Sequence, residues 1–123
     1  MEYSAEVRRR FAAAAGARPD PDARYIGEAA DRTLHFWVRF RMRATAGTIE
    51  HVEFDVFGCP DSVAAADLVA ERLRGRSLES AGYLDVHAVA AELGVPVEKL
   101  GKLLRIEDAV RECVRQAREA TSQ

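Results

Sequence analysis

Sulfur is scarce in this chain, which has two cysteines, Cys59 and Cys113, and two methionines. Two thiols cannot build a disulfide framework, nor a closed zinc site of four thiolates. No stretch approaches the roughly 18 consecutive apolar residues of a membrane-spanning helix, and the N-terminus lacks the apolar core of a secretion signal. The expected location is therefore cytoplasmic, with no membrane partner. Charge of one sign is lacking too: 18 Lys and Arg stand against 20 Asp and Glu, net −2, so nothing favours nucleic acid. There is no internal repeat, and low complexity is confined to Ala12–Ala15. The 48% of hydrophobic residues over 123 positions suffices for one domain, 1–123. Such a domain buries roughly two-thirds of the surface its unfolded chain exposes.

Ser4 to Ala15 reads as a helix with Ser4 as N-cap and Val7 and Phe11 on one face. Two prolines in Arg18-Pro19-Asp20-Pro21-Asp22 make that segment a loop. Leu34 to Arg43 alternates, with Leu34, Phe36, Val38, Phe40 and Met42 on one face and His35, Trp37, Arg39, Arg41 and Arg43 on the other. Ile49 to Phe57 is a second strand. A three-residue loop Thr45-Ala46-Gly47 joins them into a hairpin, 34–43 with 49–57. Its predicted register sets Phe40 against Val52, Val38 against Phe54, Phe36 against Val56 and Arg39 against Glu53. Extended, it brings Thr33 opposite Cys59, with Asp31 close by. The remainder is helical: Asp61–Leu73 with Val63, Leu68 and Val69 inward, a short capped helix at Ser77–Ser80, and Asp85–Leu93 closed by Gly94. A long helix from Val97 to about Ala120 turns Leu100, Leu103, Leu104, Val110, Val114 and Ala117 inward, and Arg111, Arg115 and Arg118 outward. The expected class is α+β, a small antiparallel sheet packed against helices as a sandwich.

Cys59 lies where the second strand ends, after Gly58 and before Pro60 and Asp61 at the start of a helix. The unpaired N–H groups and positive end of a helix favour a thiolate there, suited to a metal ligand or a sulfur acceptor. Asp31 and Asp61 work against the thiolate. Cys113 shares a helical face with Val110, Val114 and Ala117 and is expected in the core. His35, His51 and His87 form no metal set, and a His35–Cys59 pair has no third group to orient it. Glu53 and Asp55 account for Arg39, Arg41 and Arg43 by cross-strand pairing, without nucleic acid. No nucleophile–base–orienter set or phosphate loop is visible, so no enzymatic activity is expected.

From Phe57 to Val110 the chain resembles the IscU/NifU-type iron–sulfur scaffold domain without a gap. The motifs are Phe57-Gly58-Cys59, Arg74-Gly75-Arg76-Ser77-Leu78, Ala91-Glu92-Leu93-Gly94-Val95-Pro96 and Glu107-Asp108-Ala109-Val110; Tyr3-Ser4 with Val7 resembles the family's opening. The resemblance implies the IscU/NifU-N-like fold, and a role in assembling 2Fe–2S clusters with sulfur from a cysteine desulfurase or with other assembly factors. It makes Cys59 and Asp31 a partial cluster, sulfur or metal site. Ala29 stands where the family has its first cysteine, while Gly101 and Lys102 replace its His-Cys pair. Val95-Pro96-Val97-Glu98-Lys99 only partly matches the family's chaperone-recognition segment. The ligand set is thus degenerate. An isolated monomer is expected to hold no cofactor, and an iron–sulfur cluster, iron or zinc would need a dimer or partner to complete the ligands. Lys102 is expected to supply the lost metal charge, paired with Asp31. The expected function is an assembly-scaffold relative that accepts or gates sulfur through Cys59. The alternative is a metal-free protein-interaction or regulatory module that retains the scaffold fold.

Overall fold

The computed structural model describes residues 4–14, 20–82 and 84–121. Tyr3, Ala15, Arg18, Pro19 and the inward placement of the Phe11 side chain lie outside what is described. Among the described residues nine elements follow in order: α1 (Ala5–Ala14), β1 (Tyr25–Asp31), β2 (Phe36–Thr45), β3 (Thr48–Phe57), α2 (Pro60–Leu73), α3 (Leu78–Ala81), α4 (Val86–Leu93), a 3₁₀ turn (Val97–Lys99) and α5 (Leu100–Thr121). The architecture is α+β: a three-stranded antiparallel sheet, order β1-β2-β3, covered by helices.

The alternation of β2 is realised as read, with Phe36, Val38, Phe40 and Met42 buried and the arginines between them half-exposed. The strand starts two residues later than expected, because Arg32 to His35 form a turn, and it runs on to Thr45. The register also differs. Met42 faces Val52, Phe40 faces Phe54, Val38 faces Val56 and Arg39 faces Asp55. The loop has two residues, Ala46 and Gly47, both at positive φ (53° and 80°), which matches the twist of a tight hairpin. Glu50 is an extra residue between the pairs Ala44–Ile49 and Arg43–His51, a bulge. Shorter loop and bulge together shift the pairing by two, so every side chain keeps its face.

The third strand, β1, has no counterpart in the sequence reading. Its Tyr25-Ile26-Gly27-Glu28-Ala29-Ala30-Asp31 is poor in β-branched residues. It is held from outside by α5. A Cβ on Gly27 would lie 2.0 Å from the Ala109 carbonyl oxygen, so only glycine lets that helix approach. Gln116 accepts from the Ile26 amide (3.0 Å) and donates to its carbonyl (2.7 Å), covering the sheet edge. On the opposite edge Ile49 exchanges backbone bonds with Gly75 and Arg76.

Helix signals were readable in detail. Ser4 caps α1 and bonds the Leu93 carbonyl, Ser77 caps α3, Asp85 caps α4, and Gly94 ends α4 at φ 70°. Arg10, only 4% exposed, pairs with Glu6 within α1 and fastens that helix to α2 through Asp67 and Glu71. In α5, Leu103, Ile106, Val110, Val114 and Ala117 are buried, but Leu104 is 38% exposed and not inward as expected. Val63 is half-buried, while Leu68 and Val69 are buried. Arg111 and Arg115 lie outward in intrahelical pairs with Glu107, Glu112 and Glu119.

Candidate functional site

The site begins with a constriction. A Cβ on Gly58 would come within 3.1 Å of both the Phe36 ring and the Ser62 hydroxyl, so a glycine here lets the chain turn closely from β3 into α2. Cys59 is the N-cap of α2, with extended backbone (φ −84°, ψ 168°). Its carbonyl accepts from Ser62 N (2.9 Å) and Val63 N (3.2 Å). Its half-buried sulfur lies 3.3 Å from the Ser62 hydroxyl.

Two ammonium groups reach this sulfur, from the first turn of α5 and the 3₁₀ turn before it. Lys102 Nζ lies 3.6 Å and Lys99 Nζ 3.9 Å from Cys59 Sγ. Burial pushes the Cys59 thiol up. The Ser62 hydroxyl and amide, then Lys102 and Lys99, pull it down and prevail, leaving the thiol below its ordinary value. Lys99 is also bound at 2.5 Å to Asp61, whose side chain is 6% exposed. Among the described residues, one carboxylate and two ammoniums therefore surround the sulfur, an excess of one positive charge.

Asp31 takes no part in that cluster. It ends β1 opposite Phe36, and its Oδ1 accepts from the Leu34 amide at 3.2 Å. The expected Asp31–Lys102 ion pair is not formed; Asp31 closes the turn into β2 as an Asx side chain commonly does. The two-residue register shift also removes the hairpin reason for setting Thr33 opposite Cys59 with Asp31 close by: extended, the observed pairing brings His35 opposite Cys59. His35 is exposed, at φ 50°, and no hydrogen bond joins it to Cys59. Ala29 sits in β1 opposite Val38. A Cβ on Gly101 would meet Leu34 Cδ1 at 3.2 Å, so apolar side chain crowds that position.

Other sequence candidates have structural partners. Cys113 is buried, 3.1 Å from the Phe40 carbonyl, and burial pushes its thiol up to about 12. Asp55 accepts from Arg39 (2.9 Å) and Arg41 (3.2 Å), so the cross-strand partner of Arg39 is Asp55 and not Glu53. Arg39 also stacks over Trp37 at 5.3 Å. His51 bonds Glu53 at 3.1 Å. Sequence reasoning missed the Lys99–Asp61 pair and Ser62. The available signals were the i, i+3 spacing of Lys99 and Lys102, and the place of Asp61 and Ser62 in the first turn after Cys59.

Residues 15–122 match the family model described as the NifU-like N-terminal domain. The chain belongs to that family. It is 32% identical over 88 residues to iron sulfur cluster assembly protein 1, mitochondrial, of Kluyveromyces lactis, a match covering 70% of this chain and 49% of that protein. It is 34% identical over 68 residues to the iron–sulfur cluster assembly scaffold protein IscU of Haemophilus influenzae, covering 55% of this chain and 54% of that one. The chain thus spans about half the length of these curated relatives. Among solved structures, its fold matches a Fervidobacterium islandicum AW-1 protein assigned to the SUF system as an iron–sulfur cluster assembly scaffold. The TM-score is 0.74 at 14% identity, covering 91% of this chain and 96% of that one. The N-terminal part of a NifU-like protein from Brucella abortus matches with TM-score 0.67 at 18% identity, covering 94% of each chain.

A 2Fe–2S cluster takes about four protein ligands, chiefly thiolates, and zinc takes three or four. Among the described residues no group of three or more His, Cys, Asp or Glu is placed to hold a metal ion. One thiol beside two ammoniums does not fit either cargo.

Proposed function

We propose that this family member serves iron–sulfur cluster assembly as a sulfur acceptor at Cys59, with a degenerate site that holds no cluster on a single chain. The observation that carries this reading is the Lys102 ammonium 3.6 Å from the Cys59 sulfur at the start of α2. A thiol so placed is primed as a nucleophile while its surroundings are poor in metal donors. Cys59 thiolate attacks the outer sulfur of a donor persulfide. The sulfur–sulfur bond of the donor breaks, the donor leaves as a thiolate, and Cys59 keeps the transferred sulfur with its proton. No net oxidation occurs. The donor class is the protein persulfide of a cysteine desulfurase, and the chain acts as a carrier, not a catalyst. No helix among the described residues is long and apolar enough to cross a membrane.

The test is incubation with a cysteine desulfurase and free cysteine, followed by intact and peptide mass measurement. The expected result is a gain of one sulfur atom on the Cys59 peptide, reversed by a reductant and absent in Cys59→Ser. An unmodified Cys59 in a chain that still binds the desulfurase would overturn the proposal and favour the metal-free interaction module.

A further inference from the structure

The fold family implies a metal-bearing cargo at the Cys59 end of the sheet, and the residues present disagree with that implication in two separate ways. Lys102 brings a positive charge to 3.6 Å from the sulfur, within the space a metal's other ligands would need. The Asp61 carboxylate, an oxygen donor two residues from Cys59, is already engaged by Lys99 at 2.5 Å.

We infer that Lys102 is a built-in substitute cation: its ammonium occupies the electrostatic place of a metal beside Cys59 and makes the site exclude thiophilic divalent ions. With Lys99 balanced by Asp61, Lys102 alone matches one negative charge on sulfur. Adding a divalent ion to that neutral set would leave two uncompensated positive charges in a half-buried site, where like charges are weakly screened. A free thiol on a metal-trafficking fold would otherwise be poisoned by the ions its partners handle, and the lysine keeps it available for sulfur. The inference rests on Cys59 as the working sulfur of the proposed function, but the two fail separately, since metal affinity and sulfur uptake are measured independently.

The probe is cadmium ion alone, titrated into the whole chain and followed by the ultraviolet absorption of the cadmium–thiolate bond. Lys102→Met, close in shape but uncharged, should bind cadmium at least about tenfold more tightly than the natural chain, because a charge a few ångströms away is removed. Lys102→Arg, which keeps the charge, should remain weak, and Lys102→Met combined with Cys59→Ser should lose the gain. Circular dichroism verifies that each variant is folded. Equal cadmium affinity in the natural chain and Lys102→Met would overturn the inference, and so would an arginine variant that binds as tightly as the methionine one. In either case sulfur uptake by the natural chain could still succeed, leaving the proposed function standing.

Discussion

Lys102 and Cys59 meet nitrogen to sulfur at 3.6 Å, joining the first turn of α5 to the N-cap of α2. The contact brings together two segments 43 residues apart in the chain. It stands on three local conditions: Gly58 lets the chain turn tightly, Pro60 starts the helix at once, and the 3₁₀ turn at Val97–Lys99 aims both lysines at the same sulfur. The reactivity and the charge balance of the site both follow from that geometry.

Replacing Lys102 by Met should slow alkylation of Cys59 at neutral pH. The lysine lowers the folded thiol below its ordinary value, so its removal moves the thiol upward and shrinks the thiolate fraction. Alkylation rate against pH should show its midpoint displaced to higher pH. An unmoved or lower midpoint would refute the role assigned to Lys102.

Asp61→Asn should destabilise the fold by about 3 kcal/mol, since it removes the carboxylate from a largely buried ion pair with Lys99. Denaturant unfolding measures the loss. Adding Lys99→Met should recover part of it, because both charges of the pair are then removed together. Full additivity of the two changes would mean that the pair is not coupled.

Helix α1 should loosen in acid. Bonds from Arg9 first and Arg10 second lower Glu6 from 4.5 to about 2. A carboxylate lowered on folding adds stability that is complete above its unfolded value and is lost as pH falls through the folded one. Amide exchange in α1 should therefore accelerate, relative to its intrinsic pH dependence, between pH 4.5 and about 2. Arg10→Met should release the helix at neutral pH at a cost of about 2 kcal/mol, its partners being partly solvated. Protection of α1 that is indifferent to both changes would show that Arg10 does not hold it.

Gly27→Ala should cost about 3 kcal/mol or more, because its methyl would overlap the Ala109 carbonyl and push α5 off β1. Thermal melting is sufficient to detect this. A variant that melts with the natural chain would contradict the close approach.

Gly27 also shows why part of the fold was hidden in the sequence. The hairpin was legible because one face of β2 is uniformly apolar, whereas β1 carries glycine and alanines whose value lies in what they leave room for. Register was harder: an alternating pattern fixes the face of each residue but not a shift of two, and the Glu50 bulge leaves no compositional trace. At the site, the resemblance pointed to Cys59 and Lys102, and they do meet. Asp31 was placed there by the resemblance and by a register that is off by two, and Lys99 with Asp61 emerged only when the 3₁₀ turn and α2 were seen side by side.

The central claim is that the site carries sulfur and not a cluster, and native mass spectrometry after anaerobic exposure to ferrous iron, cysteine and a cysteine desulfurase tests it most directly. One desalted sample yields protein mass, oligomeric state, sulfur added and iron retained. The account predicts one extra sulfur on Cys59 and no iron bound to the monomer. A monomer retaining about two irons and two sulfides would contradict it, since a 2Fe–2S cluster would then be held by a ligand set in which Cys59 stands beside two lysines.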